Sequence, residues 1–249
     1  VLEIFLARLE SVVASGAWRY VELRASGPES GPQHADARWR SGEQFWLHTL
    51  DLRPPLDEVF ARFHRTSVRQ PIKKSERLGV TIEFGGTEAL LRHFFALQVI
   101  TRKRHGLPPQ PFQWFLNLLR AFGQKAIIWV AWSEGHPVAA IFTLDWKSTC
   151  VLKYSCSHAS AGGLGATQVL IWSAIQYARN RGAQVLDFGR SELNNPGLIA
   201  FKEHWGAQRR PLQYYRCSRV AVKVSGLLRG AGLAKRVFAS LPNSCLNTV

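Results

Sequence analysis

Methionine is absent from the 249 residues, cysteine occurs four times, and 17 acidic residues stand against 32 Lys and Arg. Each scarcity excludes something. Cys150, Cys156, Cys217 and Cys245 form no CxxC pair and have no histidine at zinc-finger spacing, which argues for reduced thiols and against a metal or a disulfide framework. No apolar run approaches the roughly 18 residues of a membrane span, the longest covering residues 126–132. The N-terminus has neither a basic n-region nor a cleavage site, so a cytosolic chain is expected. The chain opens on Val1 inside an apolar-periodic segment, and with no Met anywhere the expectation is a truncated start or an alternative start codon. The shortage of acid leaves a formal charge of +15, which calls for anionic company.

What is present is a folding chain. Hydrophobic residues make up 46% and Trp, Tyr and Phe 11%, enough for a well-buried core and too much for disorder. The length allows one large or two small domains. The positive charge is concentrated: residues 53–82 carry +4, residues 98–125 carry +5 and residues 217–249 carry +5, while the remainder is nearly balanced. In the first of these, Arg62, Arg65 and Arg69 recur at helical spacing opposite Leu56, Val59, Phe60 and Phe63; Pro71 ends or restarts the helix, and Lys73, Lys74 and Arg77 carry the charge onward. Such a stripe is either a solvated face or a phosphate-tracking surface. The tail, residues 218–249, reads as a basic amphipathic helix that lies on anionic lipid or docks on its own domain.

From residue 79 the periodicity predicts a strand (79–84), helices at 88–104 and 112–122, a hairpin of strands 126–132 and 138–145, and a strand at 150–156. A helix at 166–179, a strand at 184–188, a short helix at 199–204 and a strand at 212–217 follow, so the order is β-α-α-β-β-β-α-β-α-β. The opening segment echoes the end of this unit. A helix at 4–14 passes through Ser15-Gly16-Ala17 into a strand at 18–23, as residues 168–179 pass through Arg181-Gly182-Ala183 into the next strand, and a further strand is expected at 45–50.

Leu186-Asp187-Phe188-Gly189-Arg190-Ser191, then Gly197 and Phe201-Lys202-Glu203-His204-Trp205-Gly206, resembles the D-F-G-R-S…G…F-K-x-x-W-G signature of FemAB-type transferases. The stretches 67–74 and 101–108 match further pieces in order, so the resemblance covers most of residues 45–217. It implies an α/β, GNAT-like acyltransferase fold: a complete copy at 79–217, preceded by the C-terminal part of a first copy at 1–52 and a basic linker helix at 53–78. It also implies transfer of an acyl group to an amine of a cell-envelope precursor, peptidoglycan or exopolysaccharide, the sequence being nearer the exopolysaccharide-associated branch. The donor would be aminoacyl-tRNA or acyl-CoA as co-substrate, with no tightly bound cofactor.

In this reading Lys202, whose counterpart in the family stabilises developing negative charge, is the electrostatic catalyst; otherwise it is a surface lysine whose stem covers aromatic neighbours. Asp187 either takes a proton from the incoming ammonium or pairs with Arg190. Arg190 and Ser191 suit a phosphate or ribose, Phe201 and Trp205 a base or acyl pocket, and Arg69 and Lys73 the anionic donor. Gly162, Gly163 and Gly165 lie between a strand and a helix, where a pyrophosphate loop would sit, or they only form the turn. His105, His136, His158 and His204 show neither metal spacing nor a nucleophile partner. The rival to an enzyme is a non-catalytic module held to RNA or to a membrane surface by its basic helix and tail.

Overall fold

The computed structural model describes residues 2–24 and 39–219. In chain order these form α1 (Leu2–Ala14), β1 (Tyr20–Arg24), β2 (Trp39–Asp51), α2 (Leu56–Ala61), a π-helical turn (Arg65–Arg69), α3 (Gln70–Arg77), β3 (Thr81–Gly85), α4 (Glu88–Arg104) and α5 (Phe112–Phe122). There follow β4 (Ala126–Ser133), β5 (His136–Trp146), β6 (Thr149–Ser157), α6 (Ala166–Asn180), β7 (Val185–Glu192), α7 (Pro196–Glu203) and β8 (Gln208–Ser218). All the strands join one sheet in the order β1-β8-β2-β7-β6-β5-β4-β3. Every neighbouring pair is antiparallel except β6 and β7, which are parallel and joined by the crossover helix α6. Their pairing covers Thr149–Val185, Cys150–Leu186 and Val151–Asp187 and then stops, so the two strands part.

The apolar run at 126–132 is continuous because β4 is covered on both sides. Ile127, Trp129 and Ala131 join the core that α3 and α6 close with Ile72, Leu170 and Ile175. Ala126, Ile128 and Val130 join a second core under α4 and α5, with Phe94, Phe115 and Phe142. Each such side chain contributes about 1.5–3 kcal/mol by leaving water. Thr87 starts α4 by accepting a hydrogen bond from the Leu90 N–H at 3.3 Å. A third, smaller cluster of Leu6, Val13, Trp39 and Cys217 ties α1 to the outer strands. Among the described residues no helix is long and apolar enough to cross a membrane. The tail helix expected from residues 220–249 lies outside the described residues.

Three expectations change. The opening segment contributes to the sheet of the unit that follows it: β2 lies between β7 and β8, pairing with both. The basic stretch is not one striped helix. It breaks after α2, where His64 adopts ψ 130° and donates its N–H to the His204 carbonyl at 2.7 Å, then resumes as the π-helical turn and as α3 with Pro71 in its first turn. Nor does it link two bodies, since Val59, Phe63, Val68 and Ile72 are buried in the main core. Finally, β7 outlasts its apolar stretch and runs to Glu192, because β2 continues to pair with it through Phe45; Asp187 is therefore inside the strand rather than at its end.

The crossover packs closest at Gly165, which enters α6 with φ 71° and touches α3. A Cβ there would overlap the Pro71 carbonyl oxygen. Gly165→Ala is expected to lose more than about 2 kcal/mol, combining left-handed strain with the overlap. Gly182→Ala, at φ 87° with nothing within 4 Å of the new methyl, should lose only about 1 kcal/mol. Urea denaturation of both variants checks the difference.

Candidate active site

A helix start exposes its first N–H groups, and these carry the positive end of the helix dipole. At α6 no side chain caps them, the N-cap being Gly165. They border a cleft of about 1130 Å³ lined by Gly162, Gly163 and Gly165, by Ala166 to Gln168, and by Ser157 and His158 at the end of β6. From the opposite wall come Lys73, Lys74 and Arg77 of α3, and Arg104 from the end of α4. The Lys74 ammonium reaches within 3.7 Å of where a side chain would begin on Gly163. None of these four cations is in a salt bridge among the described residues, and Glu76 is the one acidic residue in the lining. The arrangement suits a ligand with several phosphate charges.

Beyond Asp187, β7 continues without β6 as its neighbour, and here Lys202 enters from α7. Lys202 is 4% exposed. Its Nζ donates to the carbonyls of Gly189 at 2.9 Å and Arg190 at 2.8 Å. Successive carbonyls of a regular strand point to opposite edges; a bulge between His48 and Thr49, with Gly189 at φ 71°, lets two of them meet one ammonium. Asp187 holds that bulge, its Oδ1 accepting the Gly189 N–H at 2.6 Å. Burial pushes the Lys202 ammonium down from 10.5 to about 8, with the nearby Asp187 charge opposing the shift.

The remaining predicted residues separate. Arg190 lies over the Phe45 ring at 4.1 Å and donates to the Tyr214 hydroxyl at 2.8 Å, while Ser191 is buried beside His48. Trp205 is fully buried between Phe63 and Phe188 and offers no face to a substrate; Phe201 packs partly buried against the same core. Lys73 lines the cleft, whereas Arg69 stands outside its lining, its Nε buried without a partner. Asp187 and Arg190 form no ion pair with each other. Sequence reasoning missed His48 of β2, which is wholly buried with its Nδ1 3.4 Å from the Ser191 hydroxyl. Nothing local marks it, because its partners are 143 residues away. Arg104 was also missed; its signal was the +5 segment in which it falls.

No cluster of three or more metal-ligating side chains occurs among the described residues. Burial raises the Cys150 and Cys156 thiols far above their ordinary range, which removes both as thiolate nucleophiles. The described residues bring together a helix start facing four cations, two strands that part beside it, and a buried lysine seated on one of them. The family to which this mixed sheet belongs defines the class, an acyltransferase. The chain belongs to the family described as Acetyltransferase (GNAT) domain, which matches residues 62–203.

Solved structures agree in fold. FemX superposes with a TM-score of 0.70 at 14% identity, covering 85% of this chain and 76% of that one. L-PGS from Bacillus licheniformis gives 0.65 at 16% identity over 95% of this chain and 78% of that one. A conserved protein of unknown function from Bacteroides thetaiotaomicron gives 0.61 at 11% identity over 88% and 76%. At such identities the likeness concerns the fold alone. No curated protein matches the sequence.

The displaced lysine has a thermodynamic signature. Below pH 8 both folded and unfolded chains carry the Lys202 proton, and folding bears the full cost of burying it. Between about 8 and 10.5 the folded protein releases the proton while the unfolded chain keeps it, so stability rises with pH. With partial solvent screening the gain is on the order of 2 kcal/mol relative to Lys202→Met, whose stability lacks this rise. Urea denaturation of both proteins from pH 7 to 10.5 measures it.

Proposed function

We propose that the protein forms an amide by moving an acyl group from a phosphate-bearing donor, seated in the α3–α6 cleft, to an amine of a cell-envelope precursor, peptidoglycan or exopolysaccharide. The observation that carries this is the convergence on one cleft of the α6 N-terminus and four cations from two other helices, none of them in a salt bridge among the described residues. The cations belong to a concave site of nucleotide size, which favours acyl-CoA as donor; aminoacyl-tRNA is the second reading, supported by the exposed Arg62 and Arg65 beyond the cleft.

The wedge between β6 and β7 receives the acyl group. An ammonium has three donors, and the two carbonyls of β7 occupy two on Lys202, leaving the third for the oxygen of the attacked carbonyl. Asp187 keeps Oδ2 for the incoming amine, orienting it and accepting the proton that it must lose. The amine then adds to the carbonyl, the oxyanion collapses, and the thiolate or ribose oxygen leaves. No covalent enzyme intermediate is needed, and near-attack positioning supplies most of the acceleration, up to roughly 7–11 kcal/mol. Residues 1–52 are read as the remnant of a first GNAT-like unit. The protein would work in the cytoplasm, at the inner membrane face where such precursors are assembled.

Steady-state assays with acetyl-CoA and amino-sugar or peptide acceptors test the proposal. Lys202→Met should lower kcat by about 10² or more. The triple variant Lys73→Ala, Lys74→Ala, Arg77→Ala should raise KM for acetyl-CoA at least about tenfold while kcat changes little. A steep fall of donor affinity with salt would favour the RNA donor, since a single coenzyme releases few counterions. If neither donor is turned over while RNA or anionic vesicles still bind, the protein is a non-catalytic binding module.

A further inference from the structure

The buried imidazole of His48 stands opposite Gly189 across the β2–β7 bulge, and the Gly189 carbonyl is one of the two that hold Lys202. Two basic side chains, one from strand β2 and one from helix α7, thus meet at one backbone position, both closed off from water: His48 is 0% and Lys202 4% exposed. Nδ1 approaches the Ser191 hydroxyl at 3.4 Å, the Trp46 backbone also acts on the ring, and Nε2 is buried without a hydrogen-bond partner among the described residues. A buried polar atom left bare costs about 1–3 kcal/mol, so a ring that served packing alone would do better as leucine or phenylalanine.

The charges around the ring come from every element packed on it. From α7 come Lys202 and Glu203, from β8 comes Arg209, and from β7 comes the neutral Ser191, while Asp187 of the same strand bears on Lys202. Glu203 and Arg209 pair with each other at 3.4 Å and largely cancel. Lys202, partly offset by Asp187, is the cation that acts most strongly on His48. Burial, and then the Lys202 charge, lowers the imidazole below its ordinary value, so the ring is neutral at pH 7.

We propose that His48 is a positioning residue for Lys202: its neutral ring leaves the ammonium seated on the Gly189 and Arg190 carbonyls, and a protonated ring drives the ammonium off them. This rests on the catalytic reading of Lys202 given above. The site is therefore shut down by acid through strand β2, which contributes no residue to the donor cleft. Like charges repel more strongly when buried than at the surface, so a proton on His48 weakens the seating of the Lys202 ammonium on its two carbonyls.

NMR of the whole chain labelled on Lys and His tests this without any substrate, with the Lys202 signal assigned by its loss in Lys202→Met. The wild-type Lys202 signal should show its main inflection near pH 8 and a second, smaller one at the pH where His48 titrates. In His48→Gln the second inflection should vanish. From the other side, the His48 midpoint should rise by about half a pH unit or more in Lys202→Met. This arm keeps the imidazole in place and decides the matter if His48→Gln does not fold. A Lys202 signal without the second inflection, one that keeps it in His48→Gln, or a His48 midpoint unmoved in Lys202→Met overturns the proposal and leaves an ordinary core histidine. In acetyl-CoA turnover, the acid limb of kcat/KM should disappear in His48→Gln. Coupled titrations in a wild-type protein that turns over no acyl donor would uphold the pair and overturn the catalytic reading of Lys202.

Discussion

Three residue pairs, Thr149–Val185, Cys150–Leu186 and Val151–Asp187, are all that join the two halves of the sheet. A parallel pair needs a crossover, and α6 provides it, so the first turn of that helix lies necessarily at the end of β6. The strands part directly after the third pair. That single divergence exposes the far edge of β7 and makes room beside the α6 N-terminus.

The close approach of α6 to α3 gives this opening its charge. Gly165 lies against the Pro71 carbonyl, which places the next turn of α3, with Lys73, Lys74 and Arg77, across from the glycine loop. Two features that are separate in sequence, a basic stretch and a glycine loop, are thereby the two walls of one cleft. The glycine requirement is divided as well: Gly165 is demanded by packing and backbone sign, whereas Gly163 leaves space next to the Lys74 ammonium.

The polar groups beneath α7 follow a different logic. Burying an ammonium costs several kcal/mol, and the bulge at Gly189 offsets part of it with two carbonyls that a regular strand would turn apart. Asp187 fixes that bulge through the Gly189 N–H and lies close enough to oppose the downward push on Lys202. Aspartate and lysine are therefore coupled through backbone geometry, with no direct ion pair between them. This is how a surface-type residue comes to be 4% exposed on a short helix.

Local pattern was enough for the elements that carry their own period: the continuous apolar run of β4, the helices α4, α5 and α6, the β4–β5 hairpin, and a short helix at Phe201 and Lys202. The GNAT-like α/β class came from the resemblance carried by residues 186–206, with which the order of those elements agrees. The convergence at Gly189 was not legible. His48, Asp187 and Lys202 come from β2, β7 and α7, and nothing near His48 distinguishes it from any half-apolar strand residue. The break at His64 escaped for the same reason, since the group that ends the helical run there is the His204 carbonyl, 140 residues away in sequence. Sequence by itself determined which segments fold as helix and strand and where the charge is stored, since propensity and periodicity act over a few residues. Only the tertiary structure decided that β2 enters the sheet between β7 and β8, and that the stored charge faces a helix start, because hydrogen-bond pairing and close packing act between residues that the chain keeps far apart.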